Sequence, residues 1–220
     1  MGDLGRGPVL AVANHTNWWD GFLACLLTRR LGLRFQILME ARYLLRYRAF
    51  LRVGALPIRR GQPRDAWHDL ESSRRSLVPG TALWIFPQGS RRPAAEPIGT
   101  LEEGAGHLLA SATEPVTLLP VAFRYAYLGE QLPEAFVSVG SPWTVPAAAG
   151  AELRPRRRAI TQDIAGRMRA TIADLDARIA QEDVAGFAPL VPGRLSINKR
   201  LDRLRHALGM LDGPFTPRNG

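Results

Sequence analysis

The chain has 220 residues, a hydrophobic fraction of 46% and a charged fraction of 22%, values that exclude a disordered or collagen-like protein. Its net charge of +9 is made almost wholly of arginine, and residues 29–60 alone hold nine arginines with Glu40 as their only acid. Such a block predicts an anionic partner, which leaves nucleic acid, anionic lipid and a phosphorylated substrate open.

Short apolar runs alternate with helical patterns along most of the chain. Strands are predicted, in chain order, at residues 8–13, 33–39, 54–58, 81–86, 116–125 and 135–139. Helices are predicted between and after them at residues 18–31, 40–52, 64–77, 101–112, 156–182 and 195–211. This alternation indicates an α/β fold, a single domain with a central mixed sheet flanked by helices, followed by C-terminal helices. We expect an α/β core at residues 1–150 and a C-terminal helical extension packed on it at residues 151–220.

The first candidate for chemistry follows the first predicted strand, where His15 precedes Asp20 by five residues. In one continuous helix those five steps would set the two side chains about 140° apart, so they would not meet. If His15 lies in a strand-to-helix turn and Asp20 near the helix start, the side chains converge. A carboxylate on one imidazole nitrogen then makes the other a general base. The alternative is a histidine satisfied at a helix N-terminus, with Asp20 as a first-turn acid.

A second candidate is the loop at residues 86–92 (FPQGSRR), which directly follows the fourth predicted strand. Glycine and serine at the carboxyl end of a strand can expose backbone N–H groups, and Arg91 follows them. Such a loop can hold an oxyanion or a phosphate, while a plain turn with solvated arginines is the alternative. Residues 54–60 likewise place Arg60 just beyond an extended segment.

These segments, taken in order, resemble the glycerolipid acyltransferase family, which is typified by bacterial 1-acylglycerol-3-phosphate acyltransferase. The NHxxxxD motif of the family matches residues 14–20, and its second block, a glycine followed by apolar residues and a closing arginine, matches residues 54–60. Its third block, FPEG(T/S)R, matches residues 86–91, and its fourth matches the Leu-Pro-Val of residues 119–121. The resemblance covers residues 8–125, a little over half of the chain, and makes the predicted α/β core an acyltransferase core.

The resemblance implies transfer of a fatty acyl group from acyl-CoA or acyl carrier protein to a hydroxyl of a lyso-glycerophospholipid, by default 1-acylglycerol-3-phosphate. By that analogy His15 is the general base and Asp20 orients it. No covalent acyl-enzyme is needed, so the single cysteine has no role in the reaction. The residues expected to bind the acceptor are Arg60, Gln88, Gly89, Ser90 and Arg91. No metal and no other cofactor is expected.

Several residues depart from the family pattern. Gln88 stands where the family usually has glutamate, and Arg59 stands where many members have aspartate. Glu102 and Glu103 stand where a lysine is usual. These differences leave a glycolipid or another lipid alcohol open as the acceptor, and Gln88 also leaves open a non-catalytic lipid-binding member of the fold.

Many relatives carry a membrane segment before the histidine motif, whereas no apolar stretch here reaches the ~20 residues of a spanning helix. We therefore expect a cytoplasmic protein without a signal peptide, bound peripherally to the inner face of the cell membrane. The basic amphipathic helix at residues 40–52 would lie among the lipid headgroups, assisted by Trp18, Trp19 and Phe50, with core packing of the tryptophans as the alternative. No helix-turn-helix, RNP-like or zinc-ligand spacing occurs in the sequence, so no nucleic-acid partner is expected.

Overall fold

The chain folds around a mixed β-sheet that separates two layers of helices. The structure, a computed structural model, describes residues 4, 6–128, 132–148, 152–191 and 205. Its strands are β1 Val9–Ala13, β2 Arg34–Glu40, β3 Ala55–Ile58, β4 Thr81–Ile85, β5 Val116–Ala126, β6 Glu134–Val139 and β7 Trp143–Val145. Its helices are α1 Asp20–Arg30, α2 Ala41–Arg46, α3 Ala49–Arg52, α4 Pro63–Ser73, α5 Gly104–Ala110 and α6 Leu153–Ala180, and a 3-10 turn follows α4 at Arg74–Ser76.

The strand order is β3-β2-β4-β1-β5-β6, with β7 paired to the first part of β5. Strands β1 to β5 run parallel, whereas β6 and β7 run antiparallel to β5. The expected α/β class with a central mixed sheet is therefore confirmed. Strand β5 continues for five residues beyond its last pairing with β1, at Ala13 and Val121, and it pairs with β6 along this extension.

Alternate side chains of each central strand point to opposite faces of the sheet. Helices cover both faces, so the two sets of side chains are buried in two different cores. One face packs against α4, α5 and α6, and this core contains Leu10, Val12, Leu70, Leu83, Leu108, Ile164 and Met168. The other face packs against α1 and α2, and this core contains Val9, Ala11, Ala24, Leu27, Leu44, Trp84 and Leu119. Helix α6 thus covers the sheet directly, while the division of the chain at residue 150 stays a prediction.

The loops that carry the predicted site residues meet at one edge of the sheet. In a parallel sheet the carboxyl ends of all strands share an edge, and ligands of open α/β sheets bind there. Strand β1 leads to His15 at this edge, β3 leads to Arg60, and β4 leads to the loop at residues 86–92. The topology therefore gathers segments that lie up to about 75 residues apart in the sequence.

The predicted single helix at residues 40–52 is wrong, because the chain forms α2 and α3 with a break at Tyr47 (φ −125°, ψ 66°). Leu44 is the one fully buried side chain of residues 41–53, so little core packing supports a long helix, and isolated helices of this length are marginal. The short strand β7 was not predicted. The predicted helix at residues 195–211 lies outside the described residues, apart from residue 205, whose backbone is helical. Within the described residues, no helix combines the length and the apolar composition needed to cross a bilayer.

Candidate active site

The site begins where β1 ends, at a buried asparagine. The side-chain amide of Asn14 donates to the carbonyl oxygen of Phe123 at 3.0 Å, and its Oδ1 accepts the backbone N–H of Phe123 at 2.8 Å. This pair of bonds continues the β1–β5 pairing through a side chain after the strand itself has ended. It fixes the point from which the chain turns towards α1.

The turn after Asn14 brings the side chains of His15 and Asp20 together. Nδ1 of His15 lies 2.9 Å from Oδ2 of Asp20, which is the first residue of α1 and is fully buried. The same oxygen accepts the backbone N–H groups of Thr16 at 2.7 Å and Asn17 at 2.8 Å. The spacing of five residues is therefore spanned by a turn that folds around the carboxylate. Asp20 is a first-turn acid as well as the partner of the imidazole, so it fits both sequence interpretations.

Tyr125 completes the shell of Asp20 and was missed by the sequence analysis. Its hydroxyl donates to Oδ1 of Asp20 at 2.7 Å. Burial and this bond raise the pKa of Tyr125, so the phenol stays protonated and remains a donor. No local pattern signals this contact, because Tyr125 lies on the part of β5 that extends beyond β1 and is 105 residues from Asp20.

The imidazole of His15 is held on one face and partly open to solvent. It stacks on Phe86, with ring centroids 4.3 Å apart and planes 14° apart, and a quarter of its side chain is exposed. A carboxylate only accepts hydrogen bonds, so Nδ1 carries the proton and the neutral ring keeps a lone pair on Nε2. In the described part of the chain, no group forms a hydrogen bond with Nε2. This nitrogen can accept a proton from a bound hydroxyl.

The loop at residues 86–92 clamps the main chain of His15 from both sides. Oε1 of Gln88 accepts the backbone N–H of His15 at 2.8 Å. The backbone N–H of Arg92 donates to the carbonyl oxygen of His15, also at 2.8 Å. The structure thus places Gln88 against the histidine backbone, whereas its expected contact with an acceptor stays a prediction.

The same loop also reaches Arg60, which follows β3. The Arg60 guanidinium donates to the carbonyl oxygen of Gly89 and forms an ion pair with Glu102. Gly89 has φ +73°, a left-handed backbone conformation that favours glycine, and a Cβ atom there would also displace the ends of both of these side chains. Ser90 and Arg91 lie on the loop with exposed side chains. Five of the seven predicted site residues thus form one connected set: His15, Asp20, Arg60, Gln88 and Gly89.

Arg59 points to a different partner, and its presence is explained by the fold. Its guanidinium binds Asp69 of α4 through two parallel hydrogen bonds of 2.8 and 2.7 Å, and its backbone N–H donates to the same carboxylate at 2.9 Å. The hydrogen bond from the guanidinium lowers the pKa of Asp69 to about 2. This arginine therefore ties β3 to α4, and its charge is already balanced there.

A groove of about 620 Å³ lies between the segment before α5 and the α6 helix. Its lining includes Leu101, Glu103, Arg158, Gln162 and Arg169. None of the predicted site residues lines it, so we assign it no part in the chemistry of His15. Among the residues that the structure describes, His, Cys, Asp and Glu side chains form no group of three or more that could hold a metal ion.

A family model described as Acyltransferase matches residues 3–124, which include β1 to β4, most of β5 and all seven predicted site residues. No curated protein and no solved structure matches the chain significantly.

Proposed function

Because the chain belongs to the glycerolipid acyltransferase family, which includes 1-acylglycerol-3-phosphate acyltransferases, we propose that it acylates a lyso-glycerophospholipid. The default acceptor is 1-acylglycerol-3-phosphate, and the donor is the thioester of acyl-CoA or acyl carrier protein. The observation that carries the proposal is the pair of His15 and Asp20, in which one imidazole nitrogen is bound to a buried carboxylate and the other is left for a substrate.

His15 acts as the general base in the proposed reaction. Nε2 takes the proton of the acceptor hydroxyl as the oxygen attacks the thioester carbonyl, and the C–S bond breaks when the tetrahedral intermediate collapses. The proton then passes from the imidazolium to the leaving thiolate, so that ester and thiol are the products. Asp20 keeps the proton on Nδ1 and stabilises the imidazolium, a role supported by the donors that hold its carboxylate in place.

Arg60 is the residue best placed to select the acceptor. The ion pair of Arg60 with Glu102 is weakly held, because the Glu102 side chain is 57% exposed and exposed pairs contribute little to stability. We propose that the acceptor phosphate displaces Glu102 and takes the two parallel bonds that a guanidinium offers, with Gly89, Ser90 and Arg91 beside it.

The same ion pair favours a second candidate for the acceptor. If Glu102 stays on Arg60, the positive charge is balanced, and a glycolipid or another uncharged lipid alcohol becomes the better acceptor.

A mass-spectrometric transfer assay tests both candidates. The protein is given acyl-CoA or acyl carrier protein together with lysophosphatidic acid, other lysophospholipids, a glycolipid or a lipid alcohol. We expect esterification of lysophosphatidic acid and a loss of about 10²- to 10⁴-fold in His15→Ala, the usual contribution of a general base. His68→Ala is the matched control, because His68 is 76% exposed on α4.

The outcomes separate the alternatives. Retained activity in His15→Ala would refute the role of His15 as the base. Transfer to the uncharged acceptors alone would favour the second candidate. No transfer to any acceptor, with lipid binding preserved, would indicate a non-catalytic lipid-binding protein.

We propose the inner face of the cell membrane as the place of action. The thioester donors are water-soluble and cytoplasmic, whereas the acceptor lies in the bilayer, so the two meet at that surface. Cell fractionation tests this point, and recovery of the protein wholly in the soluble fraction at low salt would contradict it.

A further inference from the structure

A cluster of exposed apolar side chains lies beside the candidate active site. In the described residues, eight of the fourteen exposed large apolar side chains fall between residues 18 and 53. We call these eight the apolar face: Trp18, Trp19, Phe22, Tyr43, Leu45, Tyr47, Leu51 and Val53. Single exposed apolar residues are ordinary, but a gathered set marks a surface that is covered in use.

Ring contacts join four members of the apolar face, Trp18, Trp19, Phe22 and Tyr47, into one surface. The Trp18 ring lies 6.1 Å from the Tyr47 ring and 6.1 Å from the Phe50 ring, measured between centroids. Phe22 lies 5.4 Å from Trp19 and 6.1 Å from Phe50. The turn before α1, the first turn of α1 and the α2–α3 segment therefore form a continuous aromatic patch. The fold does not bury this patch, because Trp18 is 45% exposed and Trp19 is 58% exposed.

The α2–α3 segment also carries exposed arginines, and few acidic side chains of the described residues balance their charge. Arg42, Arg46, Arg48 and Arg52 are all exposed, and among the residues that the structure describes only Arg42 forms an ion pair, with Glu40 at 2.8 Å. Aromatic side chains favour the headgroup region of a bilayer, and arginines favour an anionic leaflet. A second copy of the chain would bring two such clusters of like charge face to face, which opposes self-association.

We propose that the apolar face docks on the surface of an anionic bilayer. Trp18 and Trp19 belong to the turn between His15 and Asp20, so the docked surface borders the imidazole. An acceptor in the membrane would then reach Nε2 without leaving the lipid phase, and this last step rests on the proposed function. The docking itself does not depend on catalysis and can be measured without turnover.

Vesicle flotation with the full chain tests the docking. Phosphatidylcholine vesicles with and without phosphatidylglycerol are compared, and we expect binding to the anionic vesicles to be much stronger. Arg46→Gln with Arg48→Gln should weaken that binding about 25-fold, at about fivefold for each arginine. The matched control is Arg75→Gln with Arg154→Gln, two exposed arginines near the opposite edge of the sheet, which should change it little.

A second pair of variants measures how much apolar side chains contribute to vesicle binding. Leu51→Ser removes an apolar side chain that is 46% exposed in the apolar face, and Leu153→Ser removes one that is 40% exposed at the start of α6. We expect Leu51→Ser to weaken vesicle binding by roughly tenfold and Leu153→Ser to leave it unchanged. Thermal melting of both variants shows whether either substitution disturbs folding.

The outcomes of these experiments distinguish a failure of the docking proposal from a failure of the proposed function. Equal binding to neutral and anionic vesicles, or equal effects of the two arginine pairs, would overturn the proposal. A dimer in lipid-free solution that dissociates in Leu51→Ser would assign the apolar face to a second copy and would also overturn it. Normal flotation without acyl transfer would leave the docking intact and refute only the proposed function.

Discussion

Replacing Tyr125 by phenylalanine removes one hydroxyl and isolates the support that it gives to Asp20. Asp20 has no exposed surface, and its four hydrogen bonds are divided unequally between its oxygens. Oδ2 accepts three of them, whereas the Tyr125 hydroxyl is the partner of Oδ1 within the described residues. The Tyr125→Phe variant therefore leaves one oxygen of a buried carboxylate without a donor.

The expected loss follows from that unpaired oxygen. Leaving a buried polar group unsatisfied costs about 1–3 kcal/mol, so we expect the free energy of unfolding to fall by about 2 kcal/mol. For a chain of this size that corresponds to a melting temperature lower by roughly 4–8 °C. The bond between Asp20 and Nδ1 of His15 uses the other oxygen and survives, so kcat should fall by less than about tenfold, the equivalent of about 1.4 kcal/mol.

Urea and thermal denaturation of Tyr125→Phe are compared with Tyr127→Phe, which makes the same change two residues away at a side chain that is 68% exposed. The pKa of Tyr125 is raised above its ordinary value of 10.0, so the stabilisation is complete below about pH 10 and is lost as the pH rises further. Equal melting of the two variants at neutral pH would refute the reasoning. A folded Tyr125→Phe enzyme as inactive as His15→Ala would instead place the hydroxyl at the reacting atoms.

Three further substitutions test the loop and its surroundings. Gln88→Leu should lower kcat about tenfold, because the backbone N–H of His15 loses its acceptor. Gln88→Glu keeps an acceptor, so its kcat should stay near that of the wild type. Equal kcat values for the two variants would contradict this account. The low pKa of Asp69 stabilises the fold above about pH 4, so the difference between wild type and Asp69→Asn in urea unfolding should shrink as the pH falls towards 2; a constant difference would contradict it. Gly89→Ala should lose about 1–2 kcal/mol of stability through its left-handed backbone, and Gly61→Ala, which has open space, should lose little; equal melting points would refute the steric account.

The sequence was informative where the chemistry is local. The order of strands and helices could be predicted from apolar periodicity, and all five parallel strands were found. The convergence of His15 and Asp20 required only that Asp20 begin a helix, and the backbone N–H groups that precede a helix are natural partners for such a carboxylate. Apolar periodicity indicates which side chains of a segment are buried, and in these strands and helices burial determines the secondary structure.

The contacts missed by the sequence analysis join residues that are distant in the chain. Tyr125 meets Asp20 only because β5 extends beyond β1, and Arg60 meets Glu102 only because both lie against one loop. The pattern of residues 40–52 predicted one helix because its apolar positions have a helical period. In the structure most of those side chains are exposed and Leu44 alone is buried, so little core packing supports a single helix.

The departure from the family pattern at Gln88 affects the site less than the change of charge suggests. Its contact with the backbone N–H of His15 needs only an oxygen that accepts a hydrogen bond, and an amide oxygen serves as well as a carboxylate. A glutamate there would place a second negative charge near the pair of His15 and Asp20, whereas glutamine supports the histidine without it. The charge that matters for the acceptor lies instead on Arg60 and its exposed partner Glu102. Discrimination between a phosphorylated and an uncharged acceptor should therefore depend on how readily that ion pair opens, and substitutions at Gln88 should act on the rate more than on the choice of acceptor.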